Sequence, residues 1–327
     1  MDKSEQPEID VKEAANPPAG QGEISAPPEQ EFSEQLQYVL EYAENIRMRQ
    51  MGKLRTRHFV FIFMLLACIL IGGGALAWAF LFEYNLNKGV FWLICSVLLC
   101  SATYMWSRVP LETYRKQYKA KIMPALGKAL GNLKYNQKMG ISRAIIQKAG
   151  IAPPHKNYHA EDCFTGRYKG VKMLLSEARL SGGNREGLPD FEGIFVMLEI
   201  RGQPFKGRVI ITSDPALQRR LRHREGLKRM RNQGFEILTN HLDNIKKLAS
   251  DALFKELTEI SALFENAPIS LTFFAGKYLF LMIPSPQDLF EPSHLLVPIS
   301  SHTEIVRLKQ EIGKILSIID ILELYER

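Results

Sequence analysis

Four side chains from His155 to Cys163 form the best metal-like cluster of the chain. His155 and His159 have the His-x3-His spacing, and Asp162 and Cys163 follow. Imidazole, carboxylate and thiolate all ligate zinc, and histidines at i and i+4 on a helix can share one ion. Pro153 and Pro154 stand directly before them and an extended pattern comes after, which argues against that helix. A solvated loop is the expectation, so His155 and His159 are the best metal candidates but no metal is assigned. Cys163 near a histidine has the composition of a nucleophile site, yet seven histidines supply such neighbours by chance. GxSxG, HExxH and the Walker-type phosphate loop are absent. The expectation is a non-enzymatic protein with no catalytic residue and no cofactor; a metal-dependent enzyme is the alternative.

A second group of residues suggests binding rather than catalysis. Arg219, Arg220, Arg222, Arg224, Lys228, Arg229 and Arg231 place seven cations in thirteen positions, against the single acid Glu225. Such a run concentrates positive potential and suits an anionic partner. Lipid headgroups are one, each nearby cation being worth about 1 kcal/mol at an anionic leaflet. Nucleic acid is another, through phosphate neutralisation, but the run lacks aromatic stacking residues and no reading motif accompanies it. The chain's own acidic tail is a third. A solvated basic loop without a partner is the plain alternative.

The elements that carry these groups begin with a membrane signature. Residues 1–45 hold eleven acids against Lys3 and Lys12, a net of −9, so the overall +7 leaves +16 on the rest. Phe59–Phe82 is a run of twenty-four residues without formal charge, and Val90–Ser107 is a second run of eighteen. At ~1.5 Å per residue the first crosses a hydrocarbon core of about 30 Å. Trp78, Trp92, Tyr104 and Trp106 lie toward the ends of the runs, where amphipathic rings favour the interface. Arg47, Arg49, Lys53, Arg55 and Arg57 precede the first run; Arg108, Arg115, Lys116, Lys119 and Lys121 follow the second. The positive-inside bias then predicts a hairpin with both termini in the cytoplasm. Neither run holds a residue expected to be charged, which argues against a pump or transporter. The Gly72-Gly73-Gly74 triplet permits close helix packing or marks a loosely packed stretch. Three of the four cysteines lie in these runs, so no disulfide framework is expected.

The predicted organisation is a disordered, acidic, proline-rich tail (1–30), an amphipathic juxtamembrane helix (31–57) and a first span (58–82). A short external turn (83–89), a second span (90–107) and a helical connector (108–152) follow. Residues 153–327 form a cytosolic domain. In the connector, Leu111 to about Lys134 reads as helix and Ser142–Lys148 as a shorter piece. Seven segments beyond Pro154 read as strands: FTGRYKG, VKMLLSEARL, FEGIFVMLEIR, GRVIITS, GFEILTN, SLTFFAG and YLFLMIP. Apolar residues at helical spacing predict helices from about His241 to Phe264 and again after Ser301, where Glu304 completes a capping box. Packing of that last helix on the sheet is favoured over a dimer seam. The fold class is α+β: a two-helix transmembrane hairpin, then an antiparallel β domain with amphipathic helices in a pleckstrin-homology-like arrangement.

Several short motifs resemble the bacterial family called domain of unknown function 3137. They are Glu161 through Gly170 (EDCFTGRYKG) with Ser176-Glu177, Phe191 through Phe195 (FEGIF), Phe205 through Arg208 (FKGR), Gly234-Phe235-Glu236, and Asp288 through Pro292 (DLFEP). The likeness covers roughly residues 55–300, including the helix pair. It implies a bacterial inner-membrane protein and assigns no catalytic residue. In the same motifs Asp162, Glu177, Glu192, Glu236 and Glu291 stand beside aromatics or glycines, where an acid caps an amide or pairs with arginine; the sequence places no two of them together. The resulting expectation is a cytoplasmic-face binding or scaffolding module for membrane lipids, a protein partner or a second copy of itself.

Overall fold

A computed structural model describes residues 29–83, 86–129, 133–183, 190–200, 206–222, 224–242, 248–286, 288, 290–292, 295–298 and 303–322. Residues 1–28 of the predicted tail, part of the 83–89 turn, part of the SGGNREGLPD connection, Phe205, Leu289 and the Ser301 cap lie outside them. The chain divides into a helical unit of residues 37–122 and 291–302 and a sheet unit that takes in residues 123–290 and the last helix.

In the helical unit, α1 runs unbroken from Glu29–Trp78 and passes into a π-turn at Ala79–Glu83. The expected boundary between residues 57 and 58 is therefore not a joint. The segment RMRQMGKLRTRH is rich in good helix formers and its one glycine is an insufficient break. The second helix, α2 (Leu86–Gln117), ends in a π-turn at Tyr118–Ile122; α3 (Met123–Ala129), with Pro124 at its second position, opens the sheet unit. Both α1 and α2 are long and apolar enough to cross a membrane. Gly72 is the packing glycine of the triplet. A Cβ there would lie 2.8 Å from Ser96 Oγ, whereas Gly73 and Gly74 face open space.

Pro110 lies inside α2 and has no N–H to give the Trp106 carbonyl four residues back. Arg57 of α1 supplies the missing donor: its Nη1 donates to Trp106 O at 3.2 Å, and its guanidinium sits 4.6 Å from the Trp106 ring centroid. A proline vacancy on one helix is thus filled by a cation on the other.

In the sheet unit, nine described strands form one antiparallel sheet, ordered β1-β2-β3-β4-β9-β8-β5-β7-β6. They are β1 (Lys134–Asn136), β2 (Asn157–Tyr168), β3 (Val171–Ser181), β4 (Phe191–Glu199), β5 (Val209–Thr212), β6 (Lys228–Asn232), β7 (Phe235–Thr239), β8 (Ser270–Phe274) and β9 (Tyr278–Pro284). Seven were expected. The two additions are β1, three residues long where a helix to Lys134 was predicted, and β6, whose basic side chains hide any apolar alternation. Among the described residues no ladder joins β1 to β6, so the sheet has two free edges.

Helices cover both faces. On one, α4 (Arg143–Ala149) and α5 (Pro215–Leu221) pack Ile145, Ile146, Leu217 and Leu221 against Phe195, Ile210 and Phe280. Phe195 stacks on Phe191 at 4.8 Å and tilts against Phe280 at 5.1 Å. On the other, α6 (Asp251–Leu263) brings Phe254 to Phe235 of β7 at 5.7 Å. Coverage on both sides explains why β5 (VIIT) is buried at every position instead of alternating. Each fully buried large side chain contributes about 1.5–3 kcal/mol.

Two expected boundaries move. The sheet unit begins at Met123 rather than 153, because β1 pairs with β2 and α4 carries core isoleucines. Of the helix expected from His241, residues 243–247 lie outside the described ones, and α6 starts at Asp251, where the Ser250 side chain accepts from Leu253 N at 3.3 Å. The last helix, α7 (Thr303–Ile321), docks within the unit: Lys314 Nζ reaches Glu259 of α6 at 2.5 Å, and Ile312, Ile315 and Ile319 are buried.

Candidate functional site

The basic run is a helix end, a turn and an edge strand, not one loop. Asp214 caps α5, its carboxylate accepting from Ala216 N at 2.8 Å and Leu217 N at 3.2 Å, and Pro215 fits the first turn. Leu217 and Leu221 point into the core, leaving Arg219, Arg220 and Arg222 outward. Arg224 lies in the turn, and β6 carries Lys228, Arg229, Met230 and Arg231, all exposed. β6 ends the sheet and, among the described residues, pairs only with β7, so its other side is an edge. Cations on an edge strand also oppose edge-to-edge aggregation.

Two of the seven cations serve the fold. Arg229 Nη1 donates to the buried Glu236 at 2.9 Å and its Nη2 to Leu221 O. Arg220 Nη2 donates to Ile151 O at 2.5 Å. Arg219, Arg222, Arg224, Lys228 and Arg231 are exposed and have no ion-pair partner among the described residues.

The His-x3-His pair does not converge. His155 precedes β2, its Nδ1 2.9 Å from Pro153 O; His159 lies on β2 with Nε2 3.7 Å from Glu161. A strand start between them removes the helical i,i+4 geometry. Cys163 is fully buried, and burial, with a smaller push from the Asp162 charge, raises its thiol pKa from 9.0 to about 12. A neutral buried thiol is a poor nucleophile.

The sequence did not bring carboxylates together, but the fold does. A β-bulge between Glu161 and Phe164 holds Asp162 at φ 55, a conformation Asp tolerates better than most residues. Asp162 is fully buried and accepts from Tyr135 O–H. Ligand oxygens of Asp162, Glu177 and Asp288 lie within 4.8 Å of one another, so these three could hold a metal ion. Glu177 Oε1 also accepts from Phe290 N at 3.3 Å. Glu177 and Asp288, but not Asp162, line a cavity of about 260 Å³ together with Arg179 and Glu192, which form an ion pair, and Gly193. Nothing in the spacing of positions 162, 177 and 288 signals this; the bulge is the cause.

Residues 189–324 match the model of a family described as Protein of unknown function (DUF3137). Over that stretch the chain is similar to this family. The DUF3137 match spans β4 to α7, and so includes the whole basic run and Asp288, while Asp162 and Glu177 precede it. Its start falls later than the roughly 55 expected, and its end takes in the closing helix. No curated protein and no solved structure matches the chain.

Proposed function

We propose that this chain is a non-enzymatic protein of the bacterial cytoplasmic membrane, anchored by α1 and α2 with both termini inside. Its α+β domain contacts anionic lipid headgroups, alone or together with a protein partner, through the basic side formed by α5 and β6. The observation that carries the reading is the free edge: β6 presents Lys228, Arg231 and the apolar Met230 to solvent, with Arg219 and Arg222 nearby in the chain. Cations around an exposed methionine suit a headgroup layer over an acyl region. The closing amphipathic α7 supports a pleckstrin-homology-like arrangement of the domain. A metal-dependent enzyme or a nucleic-acid binder is the alternative, supported respectively by the three carboxylates and by the cations.

Hydrogen exchange on the full chain in nanodiscs tests this. Amides of β6 are expected to gain protection in discs containing phosphatidylglycerol relative to phosphatidylcholine alone, and to lose it at high salt. Equal exchange in both lipids would reject the lipid contact.

A further inference from the structure

Three arginines from separated positions meet at the C-terminal end of α4. Arg208 Nη2 donates to Lys148 O at 2.5 Å, and Arg220 Nη2 donates to Ile151 O at 2.5 Å. Gly150 between them has φ 70, and a Cβ there would lie 2.5 Å from Arg208 Nη1 and 3.8 Å from Arg224 Nη1. Arg224 lines two adjoining recesses, one of about 630 Å³ with Arg220 and His155, the other of about 460 Å³ with Arg208 and Glu225.

Holding a carbonyl at a helix end, as Arg208 does, or just past it, as Arg220 does, is an ordinary task for arginine. It uses one of five donors on each of Arg208 and Arg220 and gives Arg224 no role. Among the described residues no ion pair joins a carboxylate to any of the three; Asp214 acts on Arg220 only at longer range. Burial, reinforced by the Arg224 charge, disfavours the charged form of Arg208, and burial with Arg224 outweighs Asp214 at Arg220. The His155 Nε2, in the larger recess, is buried with no hydrogen-bond partner among the described residues. Neighbouring, mutually repelling guanidiniums with spare donors lack a multivalent acceptor, and phosphate oxygens match their fork geometry.

We propose that Arg208, Arg220 and Arg224 form a binding site for a phosphate group, beside α4 and distinct from the diffuse cations of the β6 edge. Arg208 lies outside the basic run, so the site does not rest on the edge-strand reading. The ligand is either a soluble phosphomonoester or a phosphomonoester lipid headgroup.

Calorimetric titration of the detergent-solubilised full chain tests the site with inorganic phosphate and glycerol 3-phosphate, chloride being the control anion. Nanodiscs with or without phosphatidic acid form the lipid arm. Saturable phosphate binding is expected, weakened about tenfold or more by Arg208→Gln and by Arg224→Gln, and unchanged by Lys228→Gln with Arg231→Gln. Arg224 holds no backbone carbonyl, so its variant reports even where Arg208→Gln impairs folding. Tighter binding of glycerol 3-phosphate than of phosphate marks a soluble ligand; Arg208-dependent binding to phosphatidic acid discs alone marks the lipid. Binding no stronger than to chloride in every arm, or binding that Arg224→Gln leaves intact, overturns the proposal. Loss of β6 protection with the phosphate site intact would instead reject only the edge-strand reading.

Discussion

On the β2–β4 side of the sheet, carboxylates crowd together; at the α5–β6 side, guanidiniums do. Three of the acids have been given donors. Asp162 accepts from Tyr135, Glu177 from the Phe290 amide, and Glu192 from Arg179. The cations have been given few acceptors: Arg229 has Glu236, Arg208 and Arg220 hold backbone carbonyls, and Arg219, Arg222 and Arg224 have no ion-pair partner among the described residues. A charge cluster satisfied inside the fold stabilises a particular backbone path. One left unsatisfied at a surface keeps its field for something else, which favours the basic side over the acidic one for the binding role proposed above.

Perturbing the acidic side should therefore damage the fold first. Gly193 lines that cavity, and a Cβ there would lie 2.2 Å from Ile283 O in the neighbouring strand. Gly193→Val is expected to separate β4 from β9 and cost about 4 kcal/mol or more, seen as loss of a cooperative thermal transition. A folded variant with unchanged melting temperature would show that the strands can part without cost. Next in size is the Cys163 thiol. With a pKa near 12 instead of 9.0, it should react with iodoacetamide about a thousandfold more slowly than a free thiol at pH 8. Fast labelling of Cys163 in the native protein, located by peptide mass, would mean that the bulge opens.

The contrast within the basic run is smaller. Arg229→Ala strands the buried Glu236 carboxylate and should cost about 1–3 kcal/mol in denaturant unfolding. Arg222→Ala should stay within about 0.5 kcal/mol. Equal costs would erase the division between cations that serve the fold and cations left over. The smallest effect belongs to Glu259. Its hydrogen bond from Lys314, with the attendant charge attraction, depresses its pKa below the ordinary 4.5. A depressed carboxylate adds stability above its unfolded pKa and loses it as pH falls through the folded one. Because the group is exposed, Glu259→Gln should produce only a slight, salt-sensitive change in melting temperature, present at neutral pH and gone in acid.

Much of the fold was legible because its signals are local. Twenty-four uncharged residues from Phe59, alternation or apolar runs in seven strands, and Ser142 and Gly150 around α4 each declare themselves within a short window. Residues 228–232 hid their strand, since an edge exposed along its length needs no apolar pattern. The site was legible only in part. Seven cations in a row are visible in any reading, but Arg208 joins Arg220 through the end of α4, and Asp162 joins Glu177 and Asp288 through a bulge. Neither juxtaposition has a period, so no spacing rule finds it.

The unbroken α1 has a mechanical consequence. Fifty residues at ~1.5 Å each make a rod of about 75 Å, more than twice a hydrocarbon core. In the membrane orientation proposed above, much of that rod stands clear of the bilayer on the side of its N-terminus. A rod without a swivel cannot turn at one end alone. Any twist imposed on the span by the lipid or by its neighbour α2 would reach Val39, Leu40 and Ala43, buried side chains well before the apolar stretch, as the same angle. Inserting two glycines after Met51 would uncouple the ends, and spin-label distances on either side of the insertion would reveal the lost torque.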